Sequence, residues 1–168
     1  MLSIRFADIE KDINNIRELF NENLSEVHPI FARDFNINLD VNELLAQDIA
    51  KLNQFTAPNG GLFLAQVENK NVGCAGFRQN SESIAEVKRM YVKPEYRRQG
   101  IGRTLLQAII NQTSNIGYSK LRLDTPDYAQ EAQSLYRSFG FKEISPYLES
   151  DIPEELHPKW IFMELTTF

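Results

Sequence analysis

Cysteine is nearly absent. A single one, Cys74, stands in 168 residues, which excludes an internal disulfide framework and fits a reducing cytoplasm. Its neighbours Gly73 and Ala75 make a small buried side chain the plain reading of it. Histidine is scarce too: His28 and His157 each precede a proline, lie far apart, and with one cysteine give no zinc-binding spacing, so no metal is expected. Both read as loop residues. No apolar run approaches the roughly 18–20 residues of a membrane span. The opening Met1-Leu2-Ser3-Ile4-Arg5-Phe6 has no basic stretch followed by an apolar one, so no secretory leader is expected. Excess positive charge is missing as well. The net charge of −5 removes any global pull toward nucleic acid or an anionic membrane. No linker, repeat or low-complexity tract breaks the chain, and residues 1–168 read as one domain.

What is present is a change of period along the chain. Leu2, Ile4 and Phe6 alternate as in a strand. Asp8 and Asp12 are candidate N-caps for a helix with Ile13, Ile16, Leu19 and Phe20 on one face. Residues 24–40 are irregular in pattern and contain Pro29. Val41, Leu44, Leu45 and Ile49 predict a helix near 41–52, and Pro58-Asn59-Gly60-Gly61 breaks the chain. Three strands at 62–67, 72–78 and 84–92 follow, joined by short turns that favour antiparallel neighbours.

After Pro94 the period becomes helical: Ile101, Leu105, Leu106, Ile109 and Ile110 share a face that stops near Gly117. Leu121 to Asp124 is a short strand. Ala132, Leu135, Tyr136 and Phe139 predict another helix ending at Gly140, and 141–148 and 160–165 read as closing strands. The expected fold is α+β, with a mixed, mostly antiparallel sheet of about seven strands and about four helices in an α/β/α-like layering.

The richest stretch is 88–104. Six basic residues (Lys88, Arg89, Lys93, Arg97, Arg98, Arg103) stand there against one acid, Glu95. Gly100 and Gly102 bracket a helix start, where unpaired N–H groups and the helix dipole attract anions and glycine lets them approach. Strand, basic loop, Gly-x-Gly and helix make a pyrophosphate cradle. There is no P-loop and no Gly-x-Gly-x-x-Gly, and antiparallel strands before the glycines argue against a dinucleotide-binding unit. Gly-x-Ser-x-Gly is absent too. A solvated charge run is the ordinary alternative.

The run from Glu86 to Gly102 resembles the coenzyme motif of the GCN5-related N-acetyltransferase (GNAT) superfamily. The family pattern Arg/Gln-x-x-Gly-x-Gly/Ala falls on Arg97, Gly100 and Gly102. The block from Ala132 to Phe141 resembles the family's second motif, and the order of elements fits from residue 2 to 167. The resemblance implies the GNAT fold with a V-shaped splay between its central strands, and acetyl transfer from acetyl-CoA, the co-substrate, to an amine by direct attack in a ternary complex. It implies coenzyme contacts at Met90, Tyr91, Val92, Arg97, Arg98, Gln99, Gly100, Ile101, Gly102, Arg103 and Thr104. Among these, a backbone N–H near Met90-Tyr91 would polarise the thioester carbonyl, and the Val92 backbone would pair with the pantetheine arm. A homodimer is common in the family and stays open here. One departure is Ala129, where many members carry Asn.

Two catalytic residues follow from the resemblance. Tyr136 matches the family's general acid for the leaving thiolate, its ordinary alternative being an aromatic on the apolar helix face. Glu86, on the central strand, is the expected general base, with Asp124 behind it and a solvated or ion-paired strand Glu as the alternative. A lysine-like amine is neutral at pH 7 only about once in 2500, a deficit of roughly 4.6 kcal/mol, whereas an α-amine loses only about 1–1.4 kcal/mol. A base therefore matters more for the first.

The resemblance further implies that the acceptor meets segments near 24–40, 79–83 and 146–160. Acids there (Glu22, Glu26, Asp34, Glu149, Asp151, Glu154, Glu155) raise the possibility of an acidic rim for a cationic amine, against ordinary solvated loops. Trp160 packs at the start of the last strand or borders the acceptor mouth. A small-molecule amine or amino acid is the expected acceptor, with a protein N-terminus or lysine behind it. A non-catalytic acetyl-CoA sensor and a nucleic-acid binder are the other classes, the last disfavoured by net charge and the lack of interleaved aromatics.

Overall fold

The computed structural model describes residues 1–167. In chain order these form β1 (Leu2–Phe6), α1 (Ile13–Phe35), α2 (Val41–Ala50), β2 (Gly61–Val67), β3 (Lys70–Ser81), β4 (Ile84–Val92), α3 (Ile101–Ile116), β5 (Lys120–Pro126), α4 (Gln130–Ser138), β6 (Lys142–Ile144) and β7 (Trp160–Thr166). The seven strands make one sheet in the order β1-β2-β3-β4-β5-β7-β6. Every pairing is antiparallel except β4 with β5.

Strand alternation divides the core in two. Phe63 and Ala65 of β2 pack with Leu105, Leu106 and Ile109 of α3 and with Tyr136 of α4. Leu62 and Leu64 point the other way, onto Ile16, Leu19 and Phe20 of α1. The expected layered α+β fold is the observed one.

Two irregularities of β4 shape the site. Its pairing with β5 is confined to Ile84, Ala85 and Glu86, opposite Lys120, Leu121 and Arg122. Beyond that β4 follows β3 to Val92 while β5 follows β7 to Pro126, and the sheet opens as a V. Next, Cys74 faces Tyr91 but Gly76 faces Lys88, so Arg89 and Met90 together oppose Ala75. Arg89 takes a φ of 57°, in the left-handed region. The inserted residue inverts the alternation: Val87 and Met90 meet the α3 layer, whereas Tyr91 turns to α1.

Three expectations are corrected. Residues 24–35 are not irregular: α1 runs through Pro29 to Phe35. Its apolar stripe continues at Leu24, Val27 and Phe31, and that packing outweighs the hydrogen bond Pro29 cannot make. The strand expected at 141–148 is only β6, since Pro146 follows and the chain turns Tyr147 inward. Asp12 caps nothing. Its carboxylate accepts from Arg5 Nη1 and Nη2 at 2.7 Å each and from the Asp8 N–H at 2.8 Å.

The Arg5 hydrogen bonds, foremost, hold the Asp12 carboxyl down at about 2. A depressed value contributes stability that is complete above the unfolded pKa near 4 and lost as pH falls through 2. With Arg5 partly exposed, this comes to about 1–2 kcal/mol. Urea titrations at pH 5 and pH 2 should show the wild type losing that much more stability than Asp12→Asn; equal losses would remove the pair from the acid response.

Candidate active site

The site is built where β4 leaves the sheet. After Val92 the chain makes a short turn at Pro94–Tyr96, and Arg98 (φ 62°) and Gly100 (φ 82°) reverse it into α3. A Cβ on Gly100 would meet nothing within 4 Å, so what calls for glycine is its left-handed backbone, not crowding. The first intrahelical bond is Thr104 N–H to Gly100 O at 3.0 Å. The N–H groups of Ile101, Gly102 and Arg103 therefore have no partner within the helix, and α3 has no acid in its first turn. This end of the helix attracts anions.

Beside it lies a cavity of 640 Å³ whose wall includes Met90, Tyr91, Val92, Arg97, Arg98 and the start of α3 at Gly100, Ile101, Gly102 and Arg103. The cations there differ in freedom. Arg97 donates from Nε to Val92 O at 2.8 Å and from Nη2 to Glu26 at 2.7 Å, and its pKa is raised, chiefly by the Glu26 hydrogen bond. Arg103 is tied to Ser138 Oγ at 2.7 Å and lies over the Phe139 ring. Among the described residues Arg98 makes no ion pair. Gln99 and Thr104 fold back onto Glu95 O and Gly100 O, off the cavity wall.

A second cavity, of 660 Å³, lies on the α1 side. It shares Asn23, Met90, Tyr128, Ala129, Ala132 and Tyr136 with the first. Met90 and Tyr136 thus stand where the two meet. The Tyr136 hydroxyl donates to Met90 Sδ at 3.8 Å, and only 7 % of the residue is exposed. Burial, then the charge of Asp124, pushes its pKa up to about 12, so the phenol stays protonated at neutral pH.

Glu86 is placed apart from these cavities. It is 0 % exposed and lines neither wall. Its Oε1 accepts from Arg78 Nε at 2.9 Å and pairs with Arg78 Nη2 at 2.8 Å; its Oε2 accepts from the Tyr147 hydroxyl at 2.6 Å. Both oxygens are engaged, which leaves a direct base role without geometric support. Asp124 does line the second cavity, where its Oδ1 accepts from Trp160 Nε1 at 3.0 Å. Trp160 opens β7 as expected and also lines that cavity, its ring beside those of Phe31 and Phe35.

The acidic rim does not form. Glu22 pairs with Lys93, Glu26 with Arg97, Asp34 with Arg33, and Asp151 with Arg78 and Lys88. Glu149, Glu154 and Glu155 lie off both cavities, as do residues 79–83. His28 lies within α1 and not in a loop, while His157 rests on Phe162 in a short helical turn. Cys74 is buried, and burial pushes its thiol up to about 12. Among the described residues no cluster of three or more His, Cys, Asp or Glu side chains could hold a metal, and no helix is long and apolar enough to cross a membrane.

The sequence reading missed several participants. Tyr147 sits in a stretch taken for strand, Tyr128 in a segment without period, and the Arg89–Asp48 pair joins residues 41 apart in the chain. Only the helical spacing of Leu24, Val27 and Phe31 could have announced the α1 wall.

Residues 58–143 match the domain family described as Acetyltransferase (GNAT) domain. The chain is 32 % identical over 158 residues to an uncharacterized N-acetyltransferase of Schizosaccharomyces pombe, covering 93 % of this chain and 92 % of that protein. It is 34 % identical over 144 residues to an IAA acetyltransferase of Azospirillum brasilense, covering 85 % of each. The fold matches that of the PaiA N-acetyltransferase of Thermoplasma acidophilum, solved in complex with coenzyme A, with a TM-score of 0.74, 19 % identity and 99 % coverage of both chains. The chain belongs to the GNAT acetyltransferase family.

Proposed function

We propose that the protein transfers an acetyl group from acetyl-CoA to a primary amine of a small molecule or amino acid, by direct attack in a ternary complex. The observation that carries this reading is the junction of the two cavities at Met90 and Tyr136. A donor lying along β4 with its pyrophosphate on the start of α3 brings its thioester to that junction. An acceptor entering from the other side reaches the same point, so no covalent enzyme intermediate is required. The left-handed Arg89 reorients the strand just before the Met90-Tyr91 peptide, which we assign to the thioester oxygen. Such a donor contributes on the order of 3 kcal/mol. Tyr136, protonated and buried, serves the leaving sulfur. The buried, unpaired Cys74 supports a cytoplasmic setting, and the chain acts as one domain.

The test is CoA release, followed with a thiol reagent across a panel of amines. Release with at least one small amine is expected; stabilisation by acetyl-CoA without release on any amine would turn the reading to a sensor.

Glu86 enters as a positioning residue. With Arg78 and Tyr147 it ties β3 and β4 to the segment before β7. Glu86→Gln removes one partner of a buried ion pair and should cost about 3 kcal/mol of stability. The pH–rate profile of the folded variant should match the wild type; loss of the fall in rate on the acid side would restore Glu86 as base.

A further inference from the structure

The acceptor-side cavity carries five charged side chains, and four of them neutralise one another. Arg89 donates to both oxygens of Asp48, at 2.9 and 2.5 Å. Lys88 lies 3.1 Å from Asp151. The fifth is Asp124, which stands on β5 past Arg122, the last residue paired with β4, and therefore inside the V. Its Oδ1 is held by the Trp160 indole, but its Oδ2 is buried and has no hydrogen-bond partner. Two other buried side-chain atoms among the described residues share that condition, His28 Nδ1 and Asn80 Oδ1, and neither residue lines a cavity. A buried polar atom left without a partner costs about 1–3 kcal/mol. The orphan at Asp124 is an acceptor of hydrogen bonds and carries negative charge, so what completes it is a cation that donates.

The rest of the wall sets the remainder of that ligand. Leu24, Val27 and Phe31 from α1, Ile152 and Leu156 from the segment before β7, and Trp160 line it. Both cations of the wall are already answered by carboxylates, so a carboxylate on the ligand would have to break an existing pair. The volume, 660 Å³, suits a ring or an alkyl chain of several carbons.

From this arrangement we infer that the acceptor is a primary amine on an apolar, uncharged substituent, an arylalkyl- or alkylamine, whose ammonium is held by Asp124 Oδ2. This rests on the acetyl-transfer reading and names its substrate class. The same contact serves the chemistry. The ammonium gives one proton to Asp124 Oδ2, and the freed lone pair forms the N–C bond at the thioester carbonyl. The C–S bond breaks with its electron pair on sulfur, which takes a proton from Tyr136. The amide nitrogen sheds its second proton, the phenolate recovers one, and Asp124 returns the first to solvent. Amine cation and acetyl-CoA become amide, CoA thiol and one released proton.

The test uses the whole chain with 2-phenylethylamine, hexylamine, glycine and glutamate as acceptors. The first two should show kcat/KM at least about 10-fold above the amino acids. Asp124→Asn keeps an oxygen for the Trp160 indole and should raise KM for 2-phenylethylamine about 10-fold or more, the loss of one charged hydrogen bond, with acetyl-CoA affinity unchanged. Preference for the amino acids, or an unmoved amine KM in Asp124→Asn, would overturn the inference. If no amine is acetylated, the transfer reading fails separately, and calorimetry of 2-phenylethylamine with CoA present still decides this one: binding that Asp124→Asn abolishes supports it, and no binding by the wild type refutes it. Should Asp124→Asn not fold, Leu24→Glu on the half-buried α1 wall must weaken 2-phenylethylamine and spare acetyl-CoA; equal amine affinity would count against it.

Discussion

Replacing Gly102 by aspartate should raise the dissociation constant for acetyl-CoA about 100-fold or more while making the fold slightly more stable. The two effects have opposite signs for one physical reason. The first turn of α3 carries no acid, and a carboxylate there interacts favourably with the helix dipole, by about 0.3–1 kcal/mol. The added Cβ is tolerable, since its nearest neighbours are the tip of Met90 at 3.4 Å and of Leu135 at 3.5 Å, both flexible ends. Yet the new charge occupies the place the pyrophosphate would take. Two like charges about 5 Å apart at an effective dielectric near 20 repel by about 3 kcal/mol, which is roughly 100-fold in affinity. Calorimetry and thermal melting on the same preparation separate the effects. Wild-type affinity in this variant would mean the coenzyme does not use the start of α3.

The turn proposed for the donor was legible in the sequence as a structural element because it is local. Arg97 to Gly102 is one continuous turn, its glycines answer to backbone conformation, and the helix after it announces itself by period. Yet the pattern could not say which cations are free. Arg97 and Arg103 look like the phosphate ligands, but Glu26 lies 71 residues and Ser138 35 residues away along the chain, and these hold them. Arg98, with the same side chain one residue on, makes neither an ion pair nor a side-chain hydrogen bond among the described residues. The acceptor side was illegible for the complementary reason, being assembled from α1, α2, β4, β5 and the segment before β7. Pro29 hid the helical stripe that roofs it. Glu86 shows the limit most sharply. Its position on the central strand was read rightly, but Arg78 and Tyr147, which engage both its oxygens, are contacts between separate strands and a loop. A sequence read one window at a time pairs no residues across such distances, so a sealed carboxylate looked like an available base and the carboxylate with an open oxygen, Asp124, came second.

Tyr136→Phe should lower kcat about 10- to 100-fold and leave acetyl-CoA affinity nearly unchanged. The magnitude follows from what the phenol can do at its own pKa. Held near 12 by burial and by Asp124, it is a weaker acid than a thiol at about 8.5, so outright proton transfer to a finished thiolate runs uphill by roughly 5 kcal/mol. The useful contribution comes earlier, as an O–H donated to sulfur while the C–S bond stretches and charge builds. A hydrogen bond to a charged partner contributes about 1.5–3 kcal/mol, which is the predicted range in rate. The proton then crosses as the attacking nitrogen gives up its own, so phenolate never accumulates. The pH dependence distinguishes this from a free-standing acid. Loss of the Tyr136 proton falls near pH 12, outside the range of assay, so the rise in rate with pH belongs to the amine and should survive intact in the variant. Phenylalanine fills the same space against Phe141, whose ring lies 5.9 Å away, so folding should be spared. Unchanged kcat would leave Tyr136 as packing alone, and a shifted pH limb would make it the base.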